Sequence, residues 1–168
     1  MEKHLNQLHY CLFLIQSKLH ILSNKINPGL LLYKIPFIKN RMKNKFSIEN
    51  PIEFYNSFWI DKKNGFFGLV FSGGWLIGIV ALTFISLGII AIKITSPELT
   101  LNEFYFISLG VISYLICYFL VFKNDHYLKY FEEFKNWTTK ERRKNVLSSV
   151  GIIFGVIALF FFSLLYFN

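Results

Sequence analysis

Apolar positions along this chain obey two different rules. Up to residue 26 they recur at helical spacing: Leu5, Leu8, Leu12, Ile15, Leu19, Leu22 and Ile26 alternate steps of three and four, the stripe of one helix face. From residue 66 they run together. Phe66–Ile92, Phe104–Phe122 and Val146–Phe167 contain no Asp, Glu, Lys, Arg or His. Each is about as long as the roughly 20-residue helix needed to cross a hydrocarbon core of about 30 Å. The pattern predicts an all-α integral membrane protein: three transmembrane helices, a cytoplasmic N-terminal amphipathic helix and a short interfacial helix.

Phe13, Leu14 and Ile21 widen the N-terminal stripe beyond a coiled-coil seam. Such a face has three uses: lying on the inner leaflet, docking on the ends of the spans, or pairing with a second copy. Asn27-Pro28-Gly29 is expected to stop this helix, with Gly29 taking a left-handed exit. Asn50-Pro51-Ile52-Glu53 reads as a new start: an N-cap, a proline at the first helical position and an acid at the third. Phe54, Tyr55, Phe58 and Trp59 follow, side chains suited to headgroup level, and residues 61–65 turn into the first span.

That span has 27 uncharged residues, about 40 Å of helix, so it is tilted, bent or emergent. Ser96-Pro97-Glu98 and the capping box Thr100/Glu103 predict a tight loop and a hairpin of the first two spans. Tyr127, Tyr130, Phe131, Phe134 and Trp137 continue at helical spacing past the second span, with Asp125/Lys129 and Lys129/Glu133 four apart on the wetter side. A capping box at Thr138/Glu141 opens the last helix. Spans two and three are therefore expected to protrude as extended helices over 123–145 and meet near Thr138. The aromatic stripe on that protrusion must pack on the N-terminal helix, lie on the leaflet or meet a partner. It is the expected interaction surface.

Composition concentrates the same picture. The apolar share of 54% exceeds the soluble norm of about 45–50%, and the excess lies from Phe66 onward. This divides the chain into residues 1–65, too few for a sizeable core, and a membrane domain over 66–168. Of the 18 Lys/Arg, ten fall in residues 1–65, seven in 123–145, and Lys93 alone between the first two spans. Positive charge is retained on the cytoplasmic side, which predicts a multi-pass protein of the cell (inner) membrane. Its N-terminus and residues 123–145 are then inside, with 93–103 and Asn168 outside. No cleavable secretory signal is visible. Met42, the only internal methionine, is an alternative start that would leave residues 1–41 outside the native protein; the strict heptad before it argues against that.

The net charge of +8 raises nucleic acid as a partner. Lys34, Lys39, Arg41, Lys43 and Lys45 are interleaved with Tyr33, Phe37 and Phe46, which suits single-stranded nucleic acid or anionic headgroups. A span twenty residues away favours lipid. Lys39, Arg41, Lys43, Lys45, Arg142, Arg143 and Lys144 are the expected headgroup contacts.

Candidate chemistry is sparse. Gly74-x-x-x-Gly78 and Gly151-x-x-x-Gly155 allow close helix approach, either between spans one and three or between copies of the chain. His4, His9, His20 and His126 lack metal-ligand spacing, and Asp125 beside His126 reads as a solvated pair. Cys11 and Cys117 would sit in different environments, which argues against a disulfide. Ser72, Ser86, Ser108, Ser113, Ser148, Ser149 and Ser163 have no basic partner at membrane depth. No intramembrane carboxylate supplies an ion relay. No catalytic, metal or cofactor residue is assigned. The expected function is a non-enzymatic anchor or subunit that docks a partner or self-assembles through its basic, aromatic-rich cytoplasmic face. The alternatives are a membrane-permeabilising effector of holin-like or defence type, and a membrane immunity protein.

Overall fold

In the computed structural model, which describes residues 1–62, 65–96, 98 and 102–166, the chain is all-α, and no strand occurs among the described residues. Its helices are α1 (Glu2–Asn24), α2 (Gly29–Leu32), α3 (Pro36–Phe46), α4 (Pro51–Ile60), α5 (Phe66–Thr95), α6 (Glu103–Cys117), α7 (His126–Lys135) and α8 (Thr139–Tyr166). Among the described residues, three helical stretches are long and apolar enough to cross a membrane, Phe66–Thr95, Glu103–Lys135 and Thr139–Leu165, each with an 18-residue apolar segment of mean hydropathy 2.5, 2.1 and 2.4 respectively. The chain divides into two compact units, residues 13–72 and residues 1–12 with 73–168.

In the unit of residues 13–72, the later part of α1 is clamped to α4. The Asn24 side-chain amide donates to Asn56 Oδ1 at 2.6 Å, and His20 Nε2 lies 3.1 Å from the same oxygen. With Nε2 protonated, both donors converge on that one acceptor. Trp59 of α4 stacks on His20 at 4.7 Å and on Phe67 and Phe71 at 5.4 Å. Gly68 makes this approach feasible, since a Cβ there would collide with the Trp59 carbonyl. α4 begins as the sequence predicts: Asn50 Oδ1 accepts from the Glu53 amide at 3.4 Å, and Asn50 Nδ2 donates to Glu53 Oε2 at 3.2 Å.

One expectation for this segment fails. α1 ends at Asn24, before Asn27-Pro28-Gly29, and no described glycine has positive φ. Gly29 instead donates its N–H to Asn27 Oδ1 at 2.9 Å, so an Asn-based turn replaces the left-handed exit. The apolar stripe of α1 is covered in part. Leu8 and Leu12 are covered, whereas Leu19, Leu22 and Ile26 are exposed.

In the other unit, α5 and α6 run antiparallel in close contact. A Cβ on Gly73 would lie 3.1 Å from the Phe122 ring, and one on Gly88 would overlap the Tyr105 hydroxyl and touch Leu109. Serines supply the other small interior positions. Ser86, Ser113, Ser149 and Ser163 are buried, and each hydroxyl donates to a carbonyl three or four residues back, at 2.6–2.9 Å. Small residues permit close approach, and the internal bond removes the penalty for a hydroxyl in hydrocarbon. Of the predicted loop motifs, Pro97 and Thr100 lie outside the described residues. The observed cap of α6 is Asn102, whose Oδ1 accepts from the Tyr105 amide at 3.1 Å.

The expected straight protrusion of the second span is not formed. α6 passes into a π-helical turn, Tyr118–Phe122, then into Lys123–Asp125, where Asn124 and Asp125 are left-handed with φ 54° and 53°. Asn and Asp tolerate that conformation best among residues with a Cβ. The break leaves α7 as a separate amphipathic helix. It also places Asp125 before the helix, so the predicted Asp125/Lys129 pairing is absent. The turn near Thr138 is present, with the full capping box: the Glu141 amide donates to Thr138 Oγ1 at 3.3 Å, and the Thr138 amide donates to Glu141 Oε2 at 2.9 Å.

Candidate functional site

The aromatic stripe of α7 is met by the chain's own N-terminus. Residues 8–12 of α1 are buried without interruption, so the helix is enclosed there on every side. His9 lies between rings, with centroids 5.5 Å from Phe122, 5.6 Å from Tyr127 and 5.1 Å from Phe131. Tyr10 continues the contact to Phe131 at 4.9 Å, Phe134 at 5.8 Å and Trp137 at 5.5 Å. Tyr127, Phe131 and Phe134 are thereby buried, while Tyr130 and Trp137 stay partly open. Of the three uses available to the stripe, packing on α1 is the one observed.

Polar contacts pin the first turn of α1 to α7. Tyr130 donates its hydroxyl to Glu2 Oε1 at 2.7 Å, His126 Nδ1 lies 3.4 Å from the same oxygen, and Lys3 pairs with Glu133 at 2.6 Å. His126 thus faces Glu2 and not its neighbour Asp125. The two ion pairs are exposed and each adds at most about 1 kcal/mol. A deeper contact fixes the register. Asn6, wholly buried, donates its amide to the Leu120 carbonyl at 3.0 Å. Leu120 lies inside the π turn, where the widened backbone disturbs the regular helical pairing of carbonyls. Asn6 supplies a donor to that region.

Electrostatics follow burial. Desolvation pushes His9 down to about 3, so its ring is neutral at neutral pH. Burial also raises the Cys11 thiol, opposed by its side-chain interaction with Ser149. His20 is lowered by burial, opposed by its bond to Asn56. Thr138 lowers Glu141 through its hydroxyl and then its backbone amide. Both cysteines are free and buried.

The glycine motifs are placed differently from the contacts that close the hairpin. A Cβ built on Gly74, Gly78, Gly151 or Gly155 meets nothing within 4 Å, so both motifs face outward. The intramolecular approach uses Gly73 and Gly88. Coverage of the apolar core of the three span helices is only 22%, 17% and 11%, leaving most of their surface for lipid or other helices. Lys39, Arg41, Lys43, Lys45, Arg142, Arg143 and Lys144 are all exposed, the first four on α3, so the basic stretch of the sequence is helical. Asn6 and Gly73 were missed. For Asn6 the signal was faint: Asn6, His9, Gln16 and Ser17 form a polar line at helical spacing, with Gln7 beside it, in a mostly apolar segment.

No protein family, curated protein or solved structure matches the chain. Its class rests on its own architecture: a small helical protein with three candidate membrane spans.

Proposed function

We propose that this chain is a non-enzymatic membrane subunit that works by assembling with copies of itself through the outward glycine faces of α5 and α8. The observation carrying this reading is the open space over Gly74, Gly78, Gly151 and Gly155. Flat glycine faces give neighbouring backbones close approach, where van der Waals packing drives association in lipid. The spans carry no titratable side chain for acid–base or nucleophilic chemistry beyond tyrosine and cysteine, which supports a structural role.

In this reading the N-terminus and residues 123–145 share the cytoplasmic side and Asn168 lies outside. The contact of Glu2, Asn6 and Tyr10 with the α7 region supports the shared side, because soluble segments held together cannot lie on opposite faces. Charge then selects the inner face. The exposed basic residues of α3 and of the first turns of α8 rest on anionic headgroups.

Single-molecule photobleaching in bilayers tests assembly. Wild type is expected in steps greater than one, and Gly74→Ile with Gly151→Ile in single steps, with unchanged helicity. A monomeric wild type overturns the reading. A reporter fused after Asn168 should be active only outside. Dye depolarisation on induction separates the permeabilising alternative.

A further inference from the structure

A cleft of about 330 Å³ opens in the unit of residues 13–72, where α1 ends and α2 and the start of α4 close over it. Its apolar lining is Ile21, Ile26, Leu30, Leu31 and Ile52, of which Leu30 is buried. Lys25 and Lys34 line it too. No acidic residue lines it, and neither lysine has an ion pair among the described residues. Two asparagines also line it: the Asn24 amide donates to Asn56, and Asn27 Oδ1 accepts from the Gly29 amide. The charged groups of the cleft are thus two cations beside an apolar lining.

The surroundings set the context. Leu22, Leu31 and Leu32 are exposed, and Ile26 is exposed to 81%. In water such a group of aliphatic side chains would be costly. Against acyl chains it is not, and the cations immediately beside it match the headgroup layer. The size is that of a small-ligand site.

We infer that this cleft seats one anionic glycerophospholipid, an acyl chain against Ile21, Leu30 and Ile52 and the phosphate between Lys25 and Lys34. This differs from general adhesion of the α3 cations to a charged leaflet, because it requires a cavity and a defined pair of lysines. It is independent of assembly through the glycine faces.

Native mass spectrometry of the full chain in mild detergent provides the test, with dioleoyl phosphatidylglycerol and dioleoyl phosphatidylcholine as probes. Wild type should retain one phosphatidylglycerol per chain in preference to phosphatidylcholine. Lys25→Gln with Lys34→Gln should weaken retention about 30-fold, the factor expected from two basic contacts. Ile52→Trp, which fills the cleft while leaving both charges, should also abolish it. Lys43→Gln with Lys45→Gln should leave retention unchanged. Equal retention of the two lipids, or equal loss from the Lys25/Lys34 and Lys43/Lys45 pairs, would overturn the site. Full displacement by millimolar glycerol 3-phosphate would also overturn it, showing a free-phosphate site that needs no acyl chain.

Discussion

Truncating Phe131 to alanine should release the N-terminal segment from α7. The Phe131 ring is wholly buried, 5.1 Å from His9, 4.9 Å from Tyr10 and 5.3 Å from Tyr127. Phe→Ala at such a site costs about 3–5 kcal/mol in lost burial and residual cavity. Two of these rings, His9 and Tyr10, belong to α1, so much of that loss falls on docking of residues 1–12. Cys11, buried in the same segment, reports it directly, because its thiol reaches solvent when the segment lifts. In a Cys117→Ala background at fixed pH, maleimide labelling tracks the open fraction when reclosing is fast. The expected acceleration is about 100-fold or more, up to the rate of an exposed thiol. A double-mutant cycle with Tyr10→Leu should show a coupling of about 0.5–1.5 kcal/mol for the ring pair. Labelling of Phe131→Ala within twofold of wild type would refute the packing argument, and strict additivity would refute the Tyr10 contact.

Asn6→Ala should destabilise the same docking by about 1–3 kcal/mol, the cost of a buried carbonyl losing its donor; unchanged Cys11 labelling would show that the Leu120 carbonyl has another partner. His9 gives stability a pH dependence whose sign is fixed by burial. Its folded value is about 3 and its exposed value about 6.5, so between them the unfolded chain binds the extra proton. Stability is complete above about pH 6.5 and falls as pH drops through that window, by up to about 1.4 kcal/mol per unit. Denaturant midpoints at pH 7.5 and 5.0 should show this slope in wild type and a flatter one in His9→Gln; parallel slopes would exclude His9 as the source. Gly88→Leu should weaken the α5–α6 hairpin by about 1–3 kcal/mol through overpacking on Tyr105 and Leu109, while Gly74→Leu leaves the monomer's denaturation midpoint in place. Equal effects of the two would mean that the glycines are interchangeable and the facing assignment is wrong.

What the sequence revealed depended on how local each feature was. The three spans and the caps at Asn50 and Thr138 are written in neighbouring residues, and the structure forms them at the expected places. The stripe of Tyr127, Phe131 and Phe134 was legible for the same reason. Its partner was not, because His9 and Tyr10 lie more than a hundred residues away and nothing in spacing alone selects among helix, leaflet and foreign protein. The break at Asn124 and Asp125 had a local signal, two residues tolerant of positive φ, which an apparent pattern of charges four apart obscured. The glycine motifs drew attention for their spacing. Close approach instead occurs at Gly73 and Gly88, because the bulk of Phe122 and Tyr105 across the hairpin decides which glycine is needed.

The bond from Asn6 to the Leu120 carbonyl joins residues 114 positions apart, and this has a consequence for synthesis. At about 5–20 residues per second, Asn6 leaves the ribosome roughly ten seconds before its acceptor. Throughout that interval the His9 and Tyr10 rings of the first helix have been translated but the rings of residues 122–137 that cover them have not. The nascent chain must shelter that helix on the lipid surface or on a chaperone until the second span arrives. Folding of this small protein is thereby timed by its own elongation.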